Sequence, residues 1–446
     1  MLDCAGLDTP AARPTLDRAL RLPHALAMVV GIIIGVSIFV QPTEVSRSVP
    51  NIPGIFAVWL LAGLLTLCGA LVCAELSSAF PKTGGVYVFL NETISPAAGF
   101  LWGWAMFWSA HSGIIAASSV VFGRYVASFA PLDDRGIRVV AIGGILLLSA
   151  VNYAGVRQGS GLQAIVTALK LLAIVIILVL VVLLGKRAEA SATTAVTSLS
   201  MSGFALAVGA GLFAFGGWHM VTYSAGETQK PEKTIPRALL IGTLTVTACY
   251  MALNAACLYL LPLDRVIKST RVAADAASVL VGPRGAAVIS GIVLVSAFGV
   301  LNGVILAGPR VYLAMAGRYR ALAWMGAVHP RFHTPHIAIG IQAVWSCVLV
   351  ATGTYRELFS RVIYTEWIFF ALMAFGLMRA RRRADYAPAY RAWGYPVVPL
   401  VFIAASIGVV YYRVADDPWR ASGGLLLVML GLPLYYFWVR KTAQSS

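Results

Sequence analysis

Two apolar stretches of this chain carry glycines where a membrane-spanning helix should run unbroken. Gly31 and Gly35 interrupt the run from Gly31 to Phe39, and Gly216 and Gly217 interrupt the run from Phe213 to Trp218. In hydrocarbon an unpaired backbone N–H or C=O is costly, so a helix break survives only where protein or a cavity surrounds it. The chemistry on offer is that of exposed peptide groups. A broken helix presents N–H groups at the start of one half, which attract anions, and carbonyls at the end of the other, which attract cations. A carboxylate and an ammonium on adjacent atoms, as in an α-amino acid, satisfy both ends with little help from charged side chains. Gly216 and Gly217 also leave space for such a molecule. Ser37 offers a hydroxyl to the carboxylate, its alternative role being a local bond to backbone. For Gly31 and Gly35 the other reading is a small-residue face for helix packing.

A few polar residues sit where the surroundings are apolar. Lys170 lies in the run from Ile165 to Leu184. A lysine inside a membrane span is expensive and points to function; the competing reading is snorkelling to the interface. Glu366 follows Tyr364 and Thr365 in another span and is expected to face a cavity, a gate or a polar network. Ser296 and Asn302 are placed to hydrogen-bond near the site or between helices. Glu75 and Glu227 stand beside Lys82 and beside Lys230 and Lys233, which suggests gate or structural ion pairs. Other chemistry fails to assemble. His329, His333 and His336 are interrupted by Arg331, so no metal site is expected. No GxxxxGK[ST] phosphate loop exists, so no nucleotide motor is expected. The six cysteines form no CxxC pair; five lie in apolar runs and read as packing residues, and no disulfide framework is indicated. Neither an enzyme nor a cofactor-dependent protein is indicated.

The elements that must position these residues are helices in a bilayer. The chain of 446 residues is 59% hydrophobic and 12% charged, with mean hydropathy +0.82, well beyond a soluble domain. Its net charge of +16 fits positive loops on the cytoplasmic side rather than nucleic-acid binding, for no soluble domain is present to offer a basic face. The first apolar run is too long for a cleavable leader and lacks a cleavage site. Twelve spans are expected, near 23–44, 53–79, 99–130, 137–156, 160–185, 203–226, 237–261, 285–310, 336–353, 357–378, 395–413 and 420–439. The densest basic clusters, Arg379 to Arg383 and Arg310 to Arg331, then fall inside, with both termini. The Arg379–Arg383 run is an inner-face anchor, with anionic lipid contact as the alternative. Spans 1 and 6 are the broken ones and have opposite topology. That implies two five-helix inverted repeats meeting at a midplane site. The organisation is 1–22 as a cytoplasmic segment, 23–200 and 201–380 as the repeats, and 381–446 as two peripheral spans with a short tail.

Several motifs then resemble one family. Gly31 to Pro42, Ala74-Glu75-Leu76 with Phe80-Pro81 and Gly84-Gly85-Val86-Tyr87, Gly99-Phe100 with Gly103-Trp104, and Phe213 to Trp218 with Glu227, Pro231 and Pro236 follow its order. So do Val328 to Arg331 with Thr334-Pro335, and Tyr390-Arg391 with Gly394-Tyr395-Pro396. Together they resemble the amino acid–polyamine–organocation superfamily, in its L-type amino acid transporter-like branch. The resemblance implies an all-α integral membrane protein with the LeuT fold, and a secondary transporter of amino acids in the cell membrane. It implies that Ile33, Gly35, Val36 and Ser37 form one wall of the substrate site and Phe213, Phe215, Gly216, Gly217 and Trp218 the other. Phe213 matches an aromatic cover. Lys170 stands where sodium-coupled relatives hold a cation, which implies sodium independence; a proton-coupling role is the variant. The family usually has Gly-Ser-Gly at the first break, whereas this chain has Gly35-Val36-Ser37, so the local shape there is altered. Some members pair with a heavy chain through a cysteine between spans 3 and 4. The loop Ala130 to Arg135 has none, so no disulfide-linked partner is expected. An exchanger of neutral amino acids leads. A proton symporter and a cationic amino acid or polyamine permease follow, and a non-transporting sensor is the reading from another class.

Overall fold

The computed structural model describes residues 16–127, 129–188, 200–269, 272–282, 284–353, 364–439 and 441. Cys4, most of the N-terminal segment and the first residues of the span expected at 357–378 lie outside them. Among the described residues the chain is helical. Eight helices are long and apolar enough to cross a membrane, and four shorter apolar helices accompany them. The protein is a multi-pass membrane protein.

The first span is built as two pieces, α1 (Leu22–Ile33) and α2 (Ser37–Ser48), separated by Ile34, Gly35 and Val36. Helix α3 (Ile52–Ala79) begins with a side-chain cap, Asn51 accepting from the Gly54 N–H at 2.7 Å, and with proline in its first turn. A short α4 (Val86–Thr93) follows the glycine pair at 84 and 85. The third span contains α5 (Pro96–Ala105), a π-turn at Met106–Ala110 and α6 (His111–Val126). Helices α7 (Asp134–Tyr153) and α8 (Val156–Leu184) complete the first half.

The second half again opens on a broken span. Helix α9 (Met201–Ala214) stops at Phe215, and a 3-10 segment, Trp218–Glu227, continues beyond the glycines. Gly217 has φ +93°, a conformation that a side chain would strain, so the turn needs glycine there. Then come α10 (Pro231–Leu260), the short α11 (Leu263–Lys268) and α12 (Val272–Val281), and α13 (Arg284–Ala307) with its continuation α14 (Pro309–Arg318). The last helices are α15 (His336–Thr352), α16 (Thr365–Ala380), α17 (Val397–Asp416) and α18 (Pro418–Met429).

Lipid is as apolar as leucine, so burial of apolar area does not hold these helices together; close packing and interhelical hydrogen bonds must. Gly31 shows the first device. A Cβ there would lie 2.1 Å from Thr167 Oγ1, so α1 and α8 meet at a distance that only glycine permits. Helix α3 packs along α10, α6 along α13, and α1 against α8, α10 and α13. Burial separates the centre from the rim. The apolar windows of α3 and α13 are 61% buried, whereas that of α17 is 17% buried and reads as a peripheral helix.

Two carboxylates find partners other than the nearby lysines. Glu75 is held by Arg381, through Nε at 2.8 Å and Nη2 at 2.5 Å, and also accepts from the Ala392 N–H at 2.7 Å. Glu227 pairs with Arg310 in a two-pronged contact of 2.7 and 2.8 Å, with both side chains fully buried. Lys82 reaches Glu92 instead. Sequence neighbours lose because each carboxylate points into the bundle, where distant arginines are carried on other helices. Arg310 is therefore a buried residue and not a loop charge.

Candidate functional site

The two helix breaks face each other across one cavity of about 300 Å³. Its walls include Ile33, Gly35, Val36 and Ser37 from the first break and Phe213, Gly216, Gly217 and Trp218 from the second. Ile114, Ala117 and Ser118 of α6, Val300 and Val304 of α13, Gln41 of α2 and Glu366 of α16 complete it. Phe213 is 41% exposed at its edge. Phe215 is elsewhere: it is fully buried behind the break, with its ring 4.9 Å from that of Tyr250.

At the first break, α1 ends when the Ile34 N–H bonds the Val30 carbonyl, and the Gly35 N–H turns back to the Ile33 carbonyl at 2.8 Å. Ser37 is the first residue of α2, so its N–H belongs to a helix start with no carbonyl of its own helix to bond. The α1 carbonyls beyond the break are claimed from outside. Lys170 Nζ donates to the Gly31 and Ile34 carbonyls, each at 2.9 Å, and its side chain is buried. It does not snorkel. Thr167 and Gln163, one and two helical turns before it, both donate to the Ala27 carbonyl. Polar residues at 163, 167 and 170 form one face of α8, a stripe with helical spacing that the sequence displays.

Tyr250 links the two breaks. Its hydroxyl lies 3.0 Å from the Ile33 carbonyl and 2.8 Å from the Ala214 carbonyl, the last carbonyl of α9. A phenol has one proton to give, so it can serve one of the two at a time. When it serves the Ile33 carbonyl, which also accepts from the Gly35 N–H, the Ala214 carbonyl remains open to a further donor.

Asn302 and Ser296 lie away from the cavity wall. Asn302 accepts from Asn152 at 2.9 Å and donates to Gln163 at 2.9 Å and to the Gly159 carbonyl at 3.0 Å. It ties α7, α8 and α13 together and so supports the polar stripe behind the first break. Ser296 is buried, with no hydrogen-bond partner for its hydroxyl among the described residues. Glu366 faces the cavity, and its Oε1 likewise has no partner there.

The end carrying the Glu227–Arg310 pair is closed. The Leu20 N–H bonds the Glu227 carbonyl at 2.9 Å and the Gln229 N–H bonds the Leu20 carbonyl at 2.8 Å, so the segment before α1 is stitched to the end of the 3-10 segment. Arg310 also donates to the Leu306 carbonyl. At the same end, Glu75 beside the Arg381 guanidinium pushes its pKa above the usual arginine range and secures the charge. Sequence reasoning missed Tyr250, Arg310 and the histidines His111 and His219. Each is a lone polar residue in an apolar or loop context, and no local spacing marks it.

Residues 20–419 match the family described as "Amino acid permease". The chain is 34% identical to the serine/threonine exchanger SteT of Bacillus subtilis (strain 168) over 434 residues, covering 96% of this chain and 98% of that one. It is 26% identical to the human cystine/glutamate transporter, over 95% of this chain and 86% of that one. It is 28% identical to the human b(0,+)-type amino acid transporter 1, over 95% and 88% respectively.

Proposed function

This chain belongs to the amino acid permease family, and from that premise we propose that it is a sodium-independent exchanger of neutral L-amino acids working by alternating access. It is a transporter and not an enzyme. One observation carries the reading: two broken helices present free peptide groups across one closed-ended cavity, and a buried lysine holds the first break. In this reading the substrate carboxylate meets the N–H groups at the start of α2, with Ser37 assisting. The ammonium meets the carbonyl that Tyr250 leaves free. The side chain lies toward α6 and α13, and Phe213 covers the site. The relative named for serine and threonine supports small neutral substrates, as do Ser118 and Gln41 in the wall.

Lys170 occupies the place of a coupling cation by donating to two α1 carbonyls, which supports sodium independence. The wider architecture proposed is twelve spans of the LeuT type, with inverted repeats at 23–200 and 201–380, two peripheral spans and both termini in the cytoplasm of the plasma membrane. The closed end is then the cytoplasmic one, and no disulfide-linked heavy chain is needed.

The test is transport into liposomes containing the purified protein. Labelled serine uptake should require unlabelled amino acid inside and should persist when Na⁺ is replaced. Uptake into empty vesicles driven by a proton gradient alone would show symport instead. Glu366 in the cavity wall favours one second reading, a permease for cationic amino acids, which arginine or polyamine uptake into vesicles holding no amino acid would reveal.

A further inference from the structure

Glu366 is the only carboxylate in the cavity wall, is 6% exposed, and forms no ion pair among the described residues. A buried carboxylate without a partner is expensive, so a cation or a proton must accompany it. The lysine nearest in function cannot supply the charge, because Lys170 Nζ is already bonded to the Gly31 and Ile34 carbonyls. The two arginines that pair inside the protein, Arg310 and Arg381, are matched to Glu227 and Glu75.

Behind Glu366 lies a set of buried titratable groups that the amino acid site does not use. His219 on the 3-10 segment is buried, with neither ring nitrogen hydrogen-bonded among the described residues. Its ring lies 4.9 Å from Phe370, one helical turn along α16 from Glu366, and 5.6 Å from Tyr223. The Tyr223 ring is in turn 5.6 Å from His111 on α6, whose Nδ1 is 3.2 Å from the Tyr312 hydroxyl on α14. Cys73 on α3 is buried too. Tyr312 stands two residues beyond Arg310, at the closed end. These groups are carried on the 3-10 segment, α6, α14 and α3, apart from the residues that line the cavity.

We propose that Glu366 holds one proton when a neutral amino acid occupies the cavity, and gives it up when the substrate brings its own side-chain cation. The inference rests on the exchange reading above. A neutral amino acid with a proton on the Glu366 carboxylate and a cationic amino acid beside the ionised carboxylate carry the same total charge. The carrier thus takes both classes, and the proton moves with the neutral one. It enters or leaves Glu366 through the cavity that the carboxylate faces. No bond other than O–H is made or broken.

The experiment uses the full chain in liposomes with a pH dye inside. Vesicles loaded with arginine and given external serine should acidify by one proton per serine taken up. Vesicles loaded with serine and given external serine should not change pH. External arginine should displace labelled serine better as pH rises, and serine should regain the site as pH falls. In Glu366→Gln, whatever serine exchange remains should move no proton, and arginine should no longer compete. Serine-for-arginine exchange without acidification in the unaltered protein overturns the proposal, as does failure of arginine to enter or compete. Those outcomes leave the neutral-exchange reading standing. Absence of serine–serine exchange in the unaltered protein is the separate result that would sink that reading.

Discussion

Lys170 and Gly216 show how much rests on single atoms. The Lys170 ammonium satisfies two carbonyls at a helix break, and an unmet buried polar group costs about 1–3 kcal/mol. Lys170→Met should therefore loosen the first break. We expect substrate affinity to fall about tenfold or more, an amount that corresponds to about 1.4 kcal/mol, measured as the half-saturating serine concentration in exchange. A variant with unchanged affinity would remove Lys170 from the site's support. Gly216 is the complementary case. A Cβ there would lie 3.2 Å from the Phe213 carbonyl, which must yield by a few tenths of an ångström, and a large side chain would fill the cavity. Gly216→Trp should abolish serine binding, read by scintillation proximity, yet elute as a single species from size-exclusion chromatography. Binding at the original affinity would place the substrate elsewhere.

At the scale of elements, what matters is how the broken helices are joined to the helices around them. The Tyr250 hydroxyl stands between the carbonyls at the ends of α1 and α9 and donates to one of them at a time, so Tyr250→Phe keeps the ring contacts with Trp59 and Phe215 and removes only that hydrogen bond. We expect exchange to slow while thermal stability stays near that of the parent. A large drop in unfolding temperature with unaltered transport would make Tyr250 purely structural. The seal behaves differently. Glu227 and Arg310 are both fully buried, and removing one partner of such a pair leaves an uncompensated charge, at a cost of about 3–5 kcal/mol. Arg310→Met should lower the unfolding temperature clearly in detergent, and adding Glu227→Leu should recover much of the loss. If the double variant is no better than the single, the pair is not the source of the cost. Arg381 and Glu75 form a second clamp nearer the surface, where Ala392 and Tyr386 also contact the carboxylate.

For the whole molecule, helices with free polar ends enclose one cavity, and the end that carries the buried pair is closed. In the exchange proposed above, the driving force comes from the substrates themselves. Replacing Na⁺ by K⁺ or choline on both sides should leave the serine exchange rate unchanged. A strict Na⁺ requirement would contradict the role proposed for Lys170. The sequence by itself determined much of this. Its composition required a membrane protein. The glycine pairs at 31 and 35 and at 216 and 217 marked the breaks, and the ordered motifs pointed to the family, because each of these signals is local and repeats along the chain. That Ile33, Gly35, Val36 and Ser37 share a cavity with Phe213, Gly216, Gly217 and Trp218 could be expected for the same reason, and Lys170 stood out within its apolar run. Only the tertiary structure decided that Phe215 turns behind the wall and that Asn302 braces α7 and α8 rather than lining the cavity. It alone matched Glu227 to Arg310 and Glu75 to Arg381, and joined both breaks through Tyr250. Those outcomes depend on helix rotation and on contacts between residues dozens to hundreds of positions apart. A helix period read along one segment carries no information about which face of another segment will meet it.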